Sequence, residues 1–113
     1  MQLGIRPISV MPVYSASKTA VDALTKTMAV EFGKHKIRVV GFNPGAIPTN
    51  MSAQFLDSDA MKNAQEDLMA RFPLGVMMMP MEQVVSTILF LASGIAGMMT
   101  GSSVVLDGGF LAT

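Results

Sequence analysis

Residues 12–33 read PVYSASKTAVDALTKTMAVEFG and decide how the chain folds. Apolar and small side chains recur through this stretch at the spacing that places them on one face of an α-helix: Val13, Ala16, Ala20, Leu24, Met28 and Phe32. Pro12 suits the first turn of a helix, where its missing N–H is no loss, and Gly33 is a natural stop. The stretch therefore predicts a helix from Val13 to Phe32.

The segments after this helix alternate between strand and helix patterns. Residues 37–42, IRVVGF, are short and β-branched, which predicts a buried strand ended by the turn Asn43-Pro44-Gly45. Residues 103–106, SVVL, predict a second strand, and a helix over Met81–Ala92, closed by Ser93-Gly94, lies between the two strands. Strands separated by helices form parallel sheets with crossover connections. The expected fold class is α/β, half of a doubly wound parallel sheet.

Residues 49–80 are the least regular part of the sequence. Asp57 or Ser58 could cap a helix that runs to about Arg71, with one face made of Met61, Ala64, Leu68 and Phe72. Phe72-Pro73-Leu74-Gly75 would end this helix, and Met77-Met78-Met79 would follow as an apolar connector. The order of elements is helix, strand, irregular segment with a helix, helix, strand. Residues 1–113 are expected to belong to a single domain.

Composition limits the classes of protein to which the chain can belong. Half of the 113 residues are apolar and 14% are charged, well below the roughly 25% that is typical of soluble domains. Either a buried piece of a larger sheet or a membrane protein fits this balance. Residues 83–106 carry no charge, but serines, threonines and glycines interrupt them, which argues against a transmembrane span.

Charge and cysteine content add further limits. The formal net charge is zero, so the sequence shows no electrostatic signature of nucleic-acid binding. Cysteine is absent, which excludes disulfides and thiolate metal sites. We expect no nucleic-acid partner, no membrane span and a cytoplasmic location.

Tyr14 and Lys18 are the strongest candidates for chemistry. Residues four apart on a helix lie one above the other on the same face. A nearby ammonium stabilises a phenolate and would lower the pKa of the tyrosine into a range useful for proton transfer. Lysine also has enough donors to hold a ribose hydroxyl. Taken alone, the same pair is common on solvated helices, so its spacing leaves both interpretations open.

Five ordered blocks of this sequence resemble the C-terminal half of the short-chain dehydrogenase/reductase family. Tyr14 to Phe32 resembles the family's active-site helix, and Ile37-Arg38-Val39, Asn43-Pro44-Gly45 and Thr49 resemble its next strand and turn. The other matching blocks are Pro73-Leu74-Gly75, Glu82 to Ser93, and Thr100-Gly101 with Asp107-Gly108-Gly109. Within the family, the context is most similar to that of the dicarbonyl/L-xylulose reductases. The resemblance implies a Rossmann-like fold.

The resemblance also implies roles for individual residues. Tyr14 would donate a proton to a carbonyl oxygen, and Lys18 would lower its pKa and bind the nicotinamide ribose of NADP(H), NAD not being excluded. Pro44, Gly45, Ile47 and Thr49 would flank the nicotinamide, although Thr49 could equally cap a helix or turn. Residues of about 50–75 would form a substrate lid, in which Met51, Phe55, Met61 and Met69 would face the ligand or simply pack.

The sequence also departs from the family pattern. It contains no glycine-rich turn for a dinucleotide and no Asn-Asn-Ala-Gly segment. The family's catalytic serine would lie thirteen residues before Tyr14, where this sequence has Met1, and Ser9 has the wrong spacing for that role. We therefore expect an NADP(H)-dependent carbonyl reductase sequence that is truncated and inactive by itself.

A second hypothesis is a non-catalytic interaction module. In the family, the Tyr-bearing helix and the last helix and strand also form subunit interfaces, so the expected partners are a second copy, as dimer or tetramer, or full-length subunits. A small-molecule carbonyl compound is the expected substrate. His35 is interpreted as a solvated turn residue and Asp107 as a structural one, and the methionine runs as packing rather than a metal site.

Overall fold

The computed structural model describes residues 11–57, 59 and 67–113. Helix α1 covers Pro12–Gly33 with Pro12 in its first turn, as the sequence predicts. The helix does not end in a left-handed glycine. Gly33 is its last residue, Lys34 follows in right-handed geometry, and the positive φ of 61° falls on Lys36. His35, in the turn that follows, is exposed, as expected.

Two short parallel strands form the sheet seen in the described residues. Strand β1 covers Gly41–Pro44 and strand β2 covers Ser103–Leu106, with Gly41 opposite Ser103 and Pro44 opposite Leu106. The second strand lies where it was predicted. The prediction of a first strand over residues 37–42 was wrong in its bounds: the strand begins at Gly41 and ends at Pro44. Strand structure forms only where β2 is available as a partner. At Val39 the backbone N–H instead donates to the Thr100 hydroxyl at 3.1 Å.

The remaining described helices are short. Helix α2 covers Asn50–Leu56, helix α3 covers Met81–Ala92, and single 3₁₀ turns cover Gly94–Ala96 and Phe110–Ala112. Helix α3 confirms the prediction for Met81–Ala92. The helix predicted from Asp57 or Ser58 to Arg71 lies mostly outside the described residues, although residues 67–69 are helical.

Helix α1 runs antiparallel to the strands and covers one face of the sheet. Near its carboxyl end, the Ala29 methyl lies 3.4 Å from where a Cβ of Gly101 would stand, just before β2 begins. Two turns earlier, Asp22 contacts Ser103, the first residue of β2. Tyr14 is eight residues further back, about 12 Å along the helix, and β2 rises about 10 Å from Ser103 to Leu106. The amino end of α1 is therefore level with the carboxyl ends of both strands.

Helix α3 lies on the opposite face of the sheet. Val40 and Phe42 share a cavity of about 370 Å³ with Ile88, Leu91 and Ala92 of this helix. Because side chains alternate between the faces of a strand, Phe42 points to α3 while Gly41 and Asn43 point to α1. Helices on both faces of a parallel sheet make the architecture α/β, as the sequence predicts.

Arg38 joins the chain before β1 to the end of α3. Its Nη2 donates to the carbonyls of Leu91 and Ser93, both at 3.0 Å, and its Nη1 donates to those of Ala96 at 2.9 Å and Met99 at 3.3 Å. The last carbonyls of a helix have no partner within the helix. A single guanidinium thus satisfies the carboxyl end of α3 and the turn after it.

Most buried apolar side chains lie in two parts of the fold. Val84, Leu91 and Ala96 are buried along α3 and the turn that follows it. Phe72 and Phe110, the latter just after β2 in the chain, are buried with their ring centroids 5.0 Å apart. Met79 is also buried, which agrees with packing, whereas Met98 is 96% exposed, so the packing interpretation was wrong for that methionine.

Two negative findings apply to the described residues. None of their helices has the length and apolar character needed to span a membrane. No group of three or more His, Cys, Asp or Glu side chains in this part of the chain could hold a metal ion.

Candidate active site

Tyr14 and Lys18 lie one turn apart on α1, and the structure brings them into contact. The Lys18 ammonium stands over the tyrosine ring, with Nζ 5.2 Å from the ring centroid, which is within the range of a cation–π interaction. Both side chains are half-buried. Their position at the carboxyl edge of the sheet is where open α/β folds bind ligands.

The ionisation of Tyr14 differs from the sequence-based expectation. Partial burial raises the pKa of the Tyr14 phenol above its usual value of 10.0, because desolvation disfavours the charged phenolate. Desolvation is the cause of this shift, and the contact with Lys18 does not bring the pKa of the phenol below its usual value in this arrangement. The lowered pKa expected from the pair is therefore not seen in this structure.

Ser15, next to Tyr14, has a hydroxyl that is buried and lacks a hydrogen-bond partner. The residue is 2% exposed, and its Oγ is one of two such buried side-chain atoms in the described part of the chain. Leaving a buried hydroxyl without a partner costs about 1–3 kcal/mol. The hydroxyl of Ser15 is thus a buried polar group directly beside the tyrosine that the described residues leave unsatisfied.

The second part of the site is the loop between β1 and α2. Pro44 ends β1, and the buried Gly45 donates its backbone N–H to Leu106 O at 2.7 Å, which fixes the loop to the end of β2. Ala46 O accepts from the backbone N–H of Met79 at 2.7 Å, so the loop also pairs with the chain before α3. These bonds hold residues 44–47 at the edge of the sheet on which Tyr14 lies.

Thr49 caps helix α2. Its Oγ1 lies 3.3 Å from the backbone nitrogen of Ser52, which donates to it, and its own N–H donates to Ser52 Oγ at 2.9 Å. The capping role that the sequence left open is thus present. Ser52, which sequence analysis missed, also donates its hydroxyl to Ile47 O at 2.7 Å. A serine three positions after a threonine at the start of a helix is the signal that could have predicted it.

The loop between β1 and α2 carries polar groups of the kind that the amide end of a nicotinamide can bond. A carboxamide offers one acceptor and two donors. The Ile47 carbonyl accepts the Ser52 hydroxyl and keeps a second lone pair for another donor. Thr49 supplies an exposed hydroxyl two residues further on. The residues present therefore suit that end of the cofactor, whereas the sequence has no glycine-rich turn for the pyrophosphate.

Of the four residues expected to face a substrate, three have side chains outside the described part of the structure: Met51 and Phe55 on α2, and Met61. The fourth, Met69, is half-buried in the helical residues 67–69. Their role, and that of residues 50–75 as a lid, stays a prediction. Asp107 is buried and accepts from the backbone N–H groups of Gly109 at 2.9 Å and Leu111 at 3.0 Å, which agrees with the structural role expected for it.

A parallel sheet covered on both faces, with a Tyr–Lys pair at its carboxyl edge, defines part of a doubly wound nucleotide-binding protein. Residues 2–111 match a family model described as enoyl-(acyl carrier protein) reductase. The chain is 47% identical over 112 residues to L-xylulose reductase of Bos taurus, and this match covers 99% of the chain and 44% of the relative. The chain therefore belongs to the short-chain dehydrogenase/reductase family.

Solved structures agree with this assignment. A 4-hydroxyisoleucine dehydrogenase complexed with NADH is 35% identical with a TM-score of 0.83, over 97% of this chain and 44% of that one. A putative 2-deoxy-D-gluconate 3-dehydrogenase from Agrobacterium tumefaciens with bound NADP is 32% identical with a TM-score of 0.84, over 98% and 44%. The chain thus spans less than half the length of these relatives and corresponds to their C-terminal part.

Proposed function

We propose that this chain carries the proton-donating part of a carbonyl reductase active site that reduces a ketone or aldehyde to an alcohol with NADP(H). The observation that supports this most directly is the contact between Tyr14 and Lys18 at the carboxyl edge of the sheet. The similarity to L-xylulose reductase supports the reductase direction and a polar carbonyl substrate. NADP is preferred over NAD on the same similarity.

The chemistry divides between the cofactor and the chain. NADP(H), when bound, would supply the hydride that attacks the carbonyl carbon. Tyr14 would donate its phenolic proton to the carbonyl oxygen, which balances the charge as the C–O π bond breaks. The Lys18 ammonium would stabilise the phenolate left on Tyr14 and donate to a ribose hydroxyl. Ile47 O, Thr49 and the Pro44-Gly45 backbone would hold the nicotinamide.

The 113 residues alone are proposed to have negligible reductase activity. Remote parts of a cofactor contribute binding energy that positions its reacting end, and this sequence has no glycine-rich turn to collect that energy from the pyrophosphate. The chain alone should therefore quench or enhance NADPH fluorescence little, and it should oxidise no NADPH with diacetyl or L-xylulose. Normal turnover by the isolated chain would contradict this part of the proposal.

A chimera tests the chemistry itself. Residues 12–113 would be joined to the N-terminal part of bovine L-xylulose reductase, and NADPH oxidation would be followed at 340 nm with diacetyl and with L-xylulose. We expect turnover that falls by about 10²- to 10⁴-fold in Tyr14→Phe, the range for loss of a general acid. Thr27→Ala, exposed on the same helix, is the matched control and should keep its activity. A folded chimera that binds NADPH but reduces neither substrate would refute the proposal.

A second candidate function, an interaction module, is favoured by the exposed apolar side chains on two helices. On α1 these are Val13, Val21, Leu24, Met28 and Val30, and on α3 they are Met81, Val85, Ile88, Leu89 and Phe90. Exposed apolar surface is a feature of association sites. The partner we propose is a second copy of the chain or a full-length subunit.

Light scattering coupled to gel filtration tests this second candidate. We expect a mass of two or more chains, reduced towards one by Leu24→Glu or Leu89→Glu. Lys26→Glu, also exposed on α1, is the control for adding a carboxylate and should leave the mass unchanged. A monomer at all concentrations would exclude self-association.

A further inference from the structure

Asp22 is a half-buried charged residue whose carboxylate contacts the sheet. It follows Lys18 by one helical turn and Tyr14 by two, on the face of α1 that packs on the strands. Its Oδ1 accepts a hydrogen bond from the Ser103 hydroxyl at 2.7 Å and a longer one from Asn43 Nδ2 at 3.4 Å. One carboxylate therefore connects the active-site helix to both strands.

The space for this contact depends on a glycine. Gly41 lies opposite Ser103 in the sheet, and a Cβ at Gly41 would overlap the Ser103 hydroxyl. With glycine at position 41, the hydroxyl has room to stand between the strands and Asp22. The adjoining Asn43 is 2% exposed and Asp22 is half-buried, so the carboxylate is partly shielded from water where it meets the strands.

Because Asp22 bonds to Ser103, it does not form an ion pair with Lys18. Residues at i and i+4 of a helix are placed to form ion pairs, yet within the described helix α1 Lys18 and Asp22 form none. Lys18 instead lies over the Tyr14 ring. A carboxylate paired with Lys18 would cancel much of the positive charge that the tyrosine experiences.

We propose that Asp22 is a positioning residue: Ser103 and Asn43 hold its carboxylate against the strands, which fixes α1 against the sheet and leaves the Lys18 charge to Tyr14. This rests on the proposed function, since the Tyr–Lys pair is the site it serves. The strand residues that face α1 here, Gly41, Asn43 and Ser103, carry no charge. At the same edge of the sheet, Asp107 is engaged with backbone N–H groups.

The sequence provides a direct probe of the proposal. Tyr14 is the sole tyrosine of the chain and tryptophan is absent, so the rise in absorbance at 295 nm with pH reports the ionisation of Tyr14 alone. Ser103→Ala would release Asp22 to pair with Lys18. The phenol pKa should then rise further, by about 0.3–0.5 unit for one added negative charge near the surface.

Three companion variants make the test specific. Ser103→Thr keeps the hydroxyl and should restore the original titration. Ser103→Cys keeps the shape with a weaker donor and should give a smaller rise, so it serves if Ser103→Ala fails to fold. In the double variant Ser103→Ala/Asp22→Asn the rise should disappear, since no carboxylate remains to pair with Lys18. Circular dichroism at each pH would check that the fold persists.

The outcomes separate positioning from a merely structural role. A rise in Ser103→Ala or Ser103→Cys that Asp22→Asn abolishes supports the proposal. No rise, or an equal rise in the double variant, overturns it, because general loosening of the helix would not depend on the Asp22 charge. The titration needs neither cofactor nor substrate. A titration that contradicts the Asp22 proposal would not affect the reductase proposal. A chimera without reductase activity would not affect what the titration says about Asp22.

Discussion

Replacing Arg38 should destabilise the fold more than any exposed substitution would. Its guanidinium donates to four backbone carbonyls, of which Leu91 and Ser93 are at the end of α3 and Ala96 and Met99 lie in the turn that follows. Arg38→Ala would leave these carbonyls without a protein donor and would remove a positive charge from the carboxyl end of a helix.

The size of the effect follows from the number of bonds. Hydrogen bonds to charged groups contribute about 1.5–3 kcal/mol each, but Arg38 is half-buried and water can replace part of the lost interaction. At about 1 kcal/mol per carbonyl, and allowing for non-additive bonds that share two nitrogens, Arg38→Ala should lower the free energy of unfolding by about 3 kcal/mol. A domain of this length is stable by about 6–17 kcal/mol.

Arg38→Lys should lose about half as much. Lysine keeps the charge at the end of α3, but its ammonium is a compact head with three donors and cannot reach carbonyls spread from Leu91 to Met99. Urea unfolding followed by circular dichroism at 222 nm would measure both variants. Lys34→Ala is the matched control, because Lys34 contacts Glu31 at 2.6 Å while both side chains are exposed, and such pairs contribute about 0–1 kcal/mol.

Two results would refute this reasoning. One is a loss below about 1 kcal/mol in Arg38→Ala, which would mean that water satisfies the four carbonyls as well as the guanidinium does. The other is an Arg38→Lys variant as stable as the parent, which would mean that charge alone matters and the fork of donors does not. Either result would require another explanation for why α3 ends at Ala92.

Three further predictions concern stability. Burial raises the pKa of Tyr14 in the folded chain, so the Tyr14 phenol should ionise at lower pH in the unfolded chain than in the folded one. The free energy of unfolding should therefore fall above about pH 10. Tyr14→Phe should remove that part of the fall, measured by urea titrations at about pH 9 and 11. Ser15→Ala should be neutral or stabilising by up to about 1 kcal/mol in thermal unfolding, since its buried hydroxyl has no partner in the described residues. Gly109→Ala should cost about 2 kcal/mol or more, as φ is 89° and the new Cβ would stand 2.9 Å from Pro73 Cγ; Gly33→Ala, with nothing within 4 Å, is the control and should not destabilise.

Local pattern predicted the long elements well and the pairings poorly. Helices α1 and α3 follow from the spacing of their own side chains, and β2 follows from a run of β-branched residues. The start of β1 could not be predicted, because residues 37–40 have the composition of a strand but no partner strand beside them in the described residues. Asn43-Pro44 reads as a turn in the sequence, yet pairing with Val105 and Leu106 makes it part of β1.

The site shows the same division between local and distant information. Tyr14 and Lys18 could be predicted because their contact lies within one turn of one helix. The bonds of Arg38 join residues more than fifty positions apart, and that of Asp22 to Ser103 joins residues more than eighty apart. Nothing in the spacing of a single arginine or aspartate reveals such a partner. Only the position of a carboxylate on the sheet-facing side of α1 could have suggested that Asp22 has a buried donor.

The polar residues on α1 suggest why the active-site helix is held as it is. A helix that packs on a sheet through large apolar side chains can slide and repack, since dispersion contacts have little direction. The sheet-facing stripe of α1 instead contains Ser15, Asp22, Thr25 and Ala29, three of them buried and one hydrogen-bonded to both strands. A directional bond at Asp22, together with Ala29 packed beside Gly101, would fix the position of the helix along the sheet at two points. Under the proposed function, Tyr14, two turns beyond Asp22, would thereby be held at the edge of the sheet where it meets the substrate carbonyl.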